Sequence, residues 1–258
     1  MSELHFAKTL VLCMNESIHT ATDFLRGGEK EKVSLDTYSL SWNEIPQAWT
    51  KKWSYGENVS LFAYIDTVMQ KVAYLKNFFS ASGASGKGAF ESGISLHNFF
   101  HPGSLMIAIK QQAARVQNCS IHDLVLHSSW GLDPIKAMAN LKSEVESTFS
   151  VDLHEDSTFV LKNILIQGAC IGISGTAARL QDVTEQDKVI NQAPHAAIGW
   201  IKKSLSSASS FPEGLVQLPL YEDMERTSII ERLYVPCDKR KLNDDRQWTV
   251  KSVALFVC

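Results

Sequence analysis

Several things are scarce in this 258-residue chain, and each scarcity removes a class of function. Its five cysteines, Cys13, Cys119, Cys170, Cys237 and Cys258, are far apart, odd in number and contain no C-x-x-C pair. That spacing disfavours both a disulfide framework and a zinc ribbon, and a reducing compartment is expected. No apolar run approaches the ~20 residues of a membrane span, and no signal-peptide core follows Met1, so a cytoplasmic protein without membrane insertion is expected. Charge of one sign is also lacking. With 25 Lys and Arg against 28 Asp and Glu, the net charge is −3, and the short basic runs Lys51-Lys52, Lys202-Lys203 and Lys239-Arg240-Lys241 read as solvated surface. A nucleic-acid partner, which calls for a concentrated basic face, is not expected.

What is present is periodicity. Leu4, Ala7, Val11, Met14, Ile18, Ala21 and Leu25 recur in steps of three and four and predict one long helix with a single seam, ended by Gly27-Gly28. A shorter element follows through Val33, Leu35 and Leu40, and Trp42, Pro46 and Trp49 mark a corner. Leu61, Ile65, Val68, Val72, Leu75 and Phe79 predict a second long helix over about 59–79, with Phe62 and Met69 broadening its stripe. Residues 80–93 are rich in Ser, Gly and Ala, a flexible connection. A third helix opens at Pro102, with His101 as a possible cap, and carries Leu105, Ile109, Ala113 and Val116 on one face before ending near Asn118.

Beyond Asn118 the period changes. Segments 125–130, 159–171, 196–201, 215–221, 229–235 and 248–257 are short and rich in β-branched and aromatic residues, and predict about six strands. Asp133-Pro134 starts an amphipathic helix between the first two, carrying Ile135, Met138, Leu141, Val145 and Phe149. The expectation is an α+β fold: a helical subdomain over 1–120, then an antiparallel, partly closed β-barrel over 121–258, closure hiding the sheet edges.

Chemistry is harder to find. Gly83-Ala84-Ser85-Gly86-Lys87-Gly88 has the wrong spacing for a P-loop, lacks a following Ser or Thr, and comes after a helix instead of a strand. Gly168, Gly172 and Gly175 lie at a strand end, where close packing is the simpler use. His97 and His101 are four apart, but Pro102 takes His101 out of the shared helical face that zinc would need. The acidic pairs Glu155-Asp156 and Asp244-Asp245 fall in loops, and no G-x-S-x-G elbow is present. No catalytic, cofactor or metal residues are therefore assigned in this segment.

The run from Phe99-Phe100 through Pro102 to a Gln-x-x-Ala-Arg signature ending at Arg115, followed by Ile121-His122-Asp123-Leu124, resembles the C-terminal region of dynein heavy chains. Four further stretches resemble that family in the same order: Ile45-Pro46-Gln47-Ala48-Trp49; Ile164 to Cys170, with Gln167 where the family has glutamate; Leu218-Pro219-Leu220-Tyr221; and the closing 248–257 segment. Residues 197–201, 218–221 and 235–237, and Trp248 with 254–256, look most like the cytoplasmic type 2 class, which drives retrograde intraflagellar transport. The resemblance implies a non-catalytic regulatory and structural domain that packs on the AAA+ ring of a minus-end-directed microtubule motor. ATP and magnesium would then act in upstream modules of the parent motor, which also engages microtubules and dynein light and intermediate chains, in the cytoskeleton of a cilium or flagellum. The implied structural or interaction residues are Trp49, Phe99, Phe100, Pro102, Gln112, Arg115, Gly168, Tyr221 and Trp248. Arg115 would anchor its helix, and the Leu4-to-Leu25 seam would face the ring. The other readings are a stand-alone β-barrel module holding a small apolar ligand, and a nucleotide enzyme using Lys87.

Overall fold

The computed structural model describes residues 2–26, 44–54, 56, 59–81, 90, 92–149, 153–175, 177–183, 190–202, 214–237, 248 and 251–257. Gly27-Gly28, the element through Val33 to Leu40, Trp42, Lys87 and Asp244-Asp245 lie outside the described residues. The protein divides into two compact units, one of residues 1–80 with 98–100, the other of 81–97 with 101–258.

The first unit is helical. Its described residues include helix α1 (Glu3–Leu25), the single turn α2 (Gln47–Thr50) and α3 (Leu61–Ala81). Both long helices form where the spacing predicts, but each buries a face turned by about one residue from the expected seam. In α1 the buried positions are Ala7, Leu10, Met14 and Ser17, while Ile18 is exposed. In α3 they are Tyr64, Val68, Lys71, Leu75 and Phe78, while Phe79 is exposed. The cause is polar. Trp49 is buried and its indole N–H needs an acceptor, which the Ser17 hydroxyl provides at 3.1 Å. Tyr64, fully buried, reaches the Trp53 carbonyl at 2.9 Å with its phenol. A counted stripe of aliphatics cannot register that demand, since burying an indole or phenol without a partner costs about 1–3 kcal/mol.

Among its described residues the second unit carries helix α4 (Pro102–Val116), helix α5 (Pro134–Phe149) and ten strands. Pro102 occupies the first turn of α4 as expected, but the His101 side chain makes no capping bond. Asn118 ends the helix in the left-handed region at φ 47°. Strands β1 (Leu124–Gly131), β7 (His195–Lys202) and β2 (Thr158–Leu161) make an antiparallel sheet with β7 central. A five-stranded sheet follows the order β6 (Ile190–Gln192), β3 (Ile164–Gln167), β10 (Ala254–Val257), β8 (Leu215–Tyr221) and β9 (Ile229–Pro236). Strands β4 (Ala169–Ser174) and β5 (Ala177–Asp182) form a hairpin.

The α+β class holds, but the described strands lie in open sheets and do not close into the expected barrel. Two features make closure unnecessary. Helix α5 covers one face of the first sheet, packing Ala137, Leu141 and Val145 on Val160, Ala197 and Ile201. The β2 edge is met by Ile94, whose N–H reaches Val160 O at 2.7 Å and whose carbonyl accepts from Lys162 N at 2.9 Å. The expected 159–171 strand is in fact three, divided at Asn163 and Gly168, both with positive φ. The last segment is also shorter than expected: β10 begins at Ala254, and Trp248 lies outside it.

Candidate functional site

Within the helical unit, Phe99 and Phe100 are each 1 % exposed and form the centre of an aromatic cluster. Phe100 lies edge-on to Trp53 at 5.1 Å and 5.3 Å from Phe6, while Phe99 meets Tyr74 and Phe78 edge-on. The backbone of this dipeptide is held by opposite charges. A Glu3 carboxylate oxygen accepts the Phe100 N–H at 2.9 Å, and the Lys71 ammonium donates to Phe99 O at 2.9 Å. Lys71 is 5 % exposed and its ammonium sits 5.4 Å from the Trp53 ring centroid, a cation–π contact in a dry setting. Trp49 stacks on Tyr64 at 6.1 Å. Burial, with a smaller push from Cys13, holds the Tyr64 phenol well above its ordinary range, so it stays a donor. Neither Glu3 nor Lys71 is signalled by the periodicity; a lysine on the apolar side of a predicted helix is the only trace of the second.

In the second unit, the helix that begins at Pro102 is tied to the sheet by a residue that no sequence pattern singles out. Gln117, at its C-terminus, donates to Trp200 O at 2.7 Å and accepts from Lys202 N at 3.0 Å, so its amide acts as an added rung on β7. Arg115, the expected anchor, is exposed, and its guanidinium makes no hydrogen bond or ion pair among the described residues. Pro102 is buried and Gln112 is exposed.

The two larger sheets meet through polar side chains. Ser128 accepts the Tyr234 N–H at 2.8 Å and donates to Tyr234 O at 2.8 Å, and the Trp130 indole donates to the same carbonyl at 2.8 Å. Strand β9 is at the sheet's edge, so these bonds satisfy backbone groups that would otherwise invite another strand. Glycine is required at position 131, because a Cβ there would lie 2.3 Å from Ala137 N in α5. Gly168 turns the backbone between β3 and β4 at φ +80°, beside the Lys251 carbonyl. Next to it Arg226 donates to Gln167 Oε1 at 3.0 Å and to Ser252 O at 2.8 Å, with its guanidinium 5.7 Å from the Phe256 ring. Tyr221 stacks on Phe256 of β10 at 5.8 Å, and Trp248 is buried under the Lys251 ammonium.

His127, on β1, packs edge-on to Phe149 at 4.8 Å, and burial lowers its pKa from 6.5 to about 4. It is therefore neutral near pH 7. No group of three or more His, Cys, Asp or Glu able to hold a metal is found among the described residues. None of the described helices is long and apolar enough to cross a membrane. A cavity of about 880 Å³ opens between α4 and α5, with Gln112 and Thr158 of β2 among its lining residues.

These features define a module built for packing: an aromatic-centred helical unit and a helix-covered pair of sheets. The family formed by the C-terminal domain of dynein heavy chains matches residues 1–257, and the protein belongs to that family. It is 22% identical over 87% of its length to cytoplasmic dynein 2 heavy chain 1 of Caenorhabditis elegans. Against the proteins of the same name from Chlamydomonas reinhardtii and Homo sapiens it is 22% identical over 99% and 96% of its length. It spans only 5% to 6% of the length of these relatives.

Proposed function

We propose that this protein is the C-terminal regulatory and structural domain of a type 2 cytoplasmic dynein heavy chain, bracing the AAA+ ring of a minus-end-directed microtubule motor in retrograde intraflagellar transport. The observation that carries this reading is the family match over residues 1–257, supported by relatives that are dynein 2 heavy chains. In this reading ATP and magnesium act in the upstream ring, and microtubules and the light and intermediate chains are engaged by other parts of the motor, in the cytoplasm and the cilium.

A brace influences a motor only through contact that differs between the ring's nucleotide states; equal contact with every state shifts nothing. The helical unit supplies apolar surface for such contact. Phe62, Met69 and Phe79 on α3 are 72%, 55% and 42% exposed, and Leu4, Leu12 and Ile18 on α1 are 41%, 49% and 49% exposed. The ring-facing role expected of the Leu4-to-Leu25 seam passes to these outward residues, since Ala7, Leu10 and Met14 are buried inside the unit. The test is single-molecule motility of the full-length motor with Phe62→Asp and Met69→Asp introduced. Altered stall force or run length, with basal ATP hydrolysis retained, is the expected result. Unchanged force, run length and velocity would overturn the ring-bracing reading.

A further inference from the structure

We propose that the helical unit is a two-state element: α1 and α3 can each turn about the helix axis to bury a second, apolar seam, and a set of polar contacts holds them in the rotation described above. The second seam is already in the chain. Along α1 the buried positions Ala7, Leu10, Met14 and Ser17 alternate steps of three and four, and so do Ala7, Val11, Met14 and Ile18. Along α3 the buried set is Tyr64, Val68, Lys71, Leu75 and Phe78, and its counterpart is Ile65, Val68, Val72, Leu75 and Phe79. In each helix the two seams share alternate members and differ by one residue at the others, a turn of roughly 50° on the helical repeat.

The exchange runs the same way in both helices. It takes Ser17, Tyr64 and Lys71 out of the interior and brings Ile18, Ile65 and Val72 in. In the present rotation Ile18 and Phe79 are 49% and 42% exposed while Lys71 is 5% exposed, the reverse of what transfer from water alone selects. What selects it is directional. Ser17 Oγ accepts the Trp49 indole N–H at 3.1 Å, the Tyr64 phenol donates to Trp53 O at 2.9 Å, and Lys71 Nζ donates to Phe99 O at 2.9 Å. Glu3 accepts the Phe100 N–H at 2.9 Å, so one peptide bond is gripped at both of its polar groups.

Turning the helices breaks these bonds, returns the Lys71 charge to water and buries more aliphatic surface. These terms oppose one another, and packed interiors switch between discrete arrangements instead of deforming continuously. The turn also changes what the unit shows. One state offers Ile18 and Phe79 to its surroundings, the other Ser17, Tyr64 and Lys71, so apolar surface is traded for polar groups and a cation. The inference concerns the protein by itself and does not depend on the ring-bracing reading.

Relaxation-dispersion NMR on the 258-residue protein is the test, since helix shifts of this kind fall in the μs–ms range. Backbone amides of α1 and α3 and the Trp49 indole N–H are expected to share one exchange process, with about 0.1–10% of molecules in the second state. Ser17→Ala removes a bond made only in the present rotation and should raise that population about fivefold. Ile18→Gln and Phe79→Gln place an amide in the second seam at positions now exposed, and each should suppress the exchange. Phe79 meets Phe78 edge-on at 5.3 Å, so Ile18→Gln is the cleaner of the two. Local unfolding would continue in Ile18→Gln, because that side chain lies outside the present core. Exchange that persists in Ile18→Gln therefore overturns the proposal. So do separate rates for α1 and α3, or no shared exchange in either the unaltered protein or Ser17→Ala.

Discussion

The helical unit and the sheet unit solve the same packing problem with different materials. The sheet unit buries near-continuous apolar strands: all four residues of β2 are buried, as are six of eight in β7. Among the described residues both units bury polar side chains, but the helical unit buries a charge, Lys71, held by the Phe99 carbonyl, whereas the sheet unit buries hydroxyls such as Ser128 and Ser157. Side-chain bonds involving Trp49 and Phe99 fix the rotation of the two long helices, whereas backbone pairing fixes the register of the strands. The helical unit should be the more sensitive to loss of one residue, and the sheet unit to loss of one close approach.

The sharpest break in that comparison is Phe100→Ala. Emptying the aromatic centre should cost about 3–5 kcal/mol, and hydrogen exchange should show α1 and α3 losing protection while β7 and β8 retain theirs. Uniform loss across both units would mean that they do not differ in this way. Ser128→Ala comes next, at about 1–3 kcal/mol, because it leaves the Tyr234 N–H without its acceptor. Denaturant unfolding of the variant reads this directly, and a change under about 0.5 kcal/mol would count against the inter-sheet clip.

A pH titration gives a third test. His127 has its pKa lowered to about 4 in the fold, so the unfolded state binds more protons between about 6.5 and 4. Stability contributed by the neutral ring is fully present above the unfolded value and is lost as pH falls through that window. His127→Phe should flatten this part of the stability profile, and thermal melts of both proteins from about pH 7 to about pH 4 check it. The smallest expected effect is a gain: Gln167→Glu would convert the bond from Arg226 into a charged pair, adding up to ~1 kcal/mol. A melting point unchanged or lowered would show that the neutral amide already suits the site.

Much of this architecture was legible as element type and little of it as phase. Pro102, Asp133-Pro134 and the change of period after Asn118 located α4, α5 and the onset of strands, because caps and alternation are local signals. The rotation of α1 and α3 was not legible, since Ser17 and Lys71 are buried only by virtue of Trp49 and Phe99, distant in sequence. Strands β5 and β6 were missed for a related reason. The A-A-R-L-Q-D and I-N-Q segments have little β-propensity and are held by pairing with β4 and β3. Gln117 shows the same limit from the other side, a glutamine whose role exists only once β7 lies beside it.

Strand β10 follows the other strands in sequence, yet it lies between β3 and β8, antiparallel to one and parallel to the other. During synthesis the β6–β3 pair and the β8–β9 hairpin can therefore form early but cannot be joined. Four residues, Ala254 to Val257, act as the keystone of that sheet. Until those residues are made, β3 and β8 each present an unpaired edge.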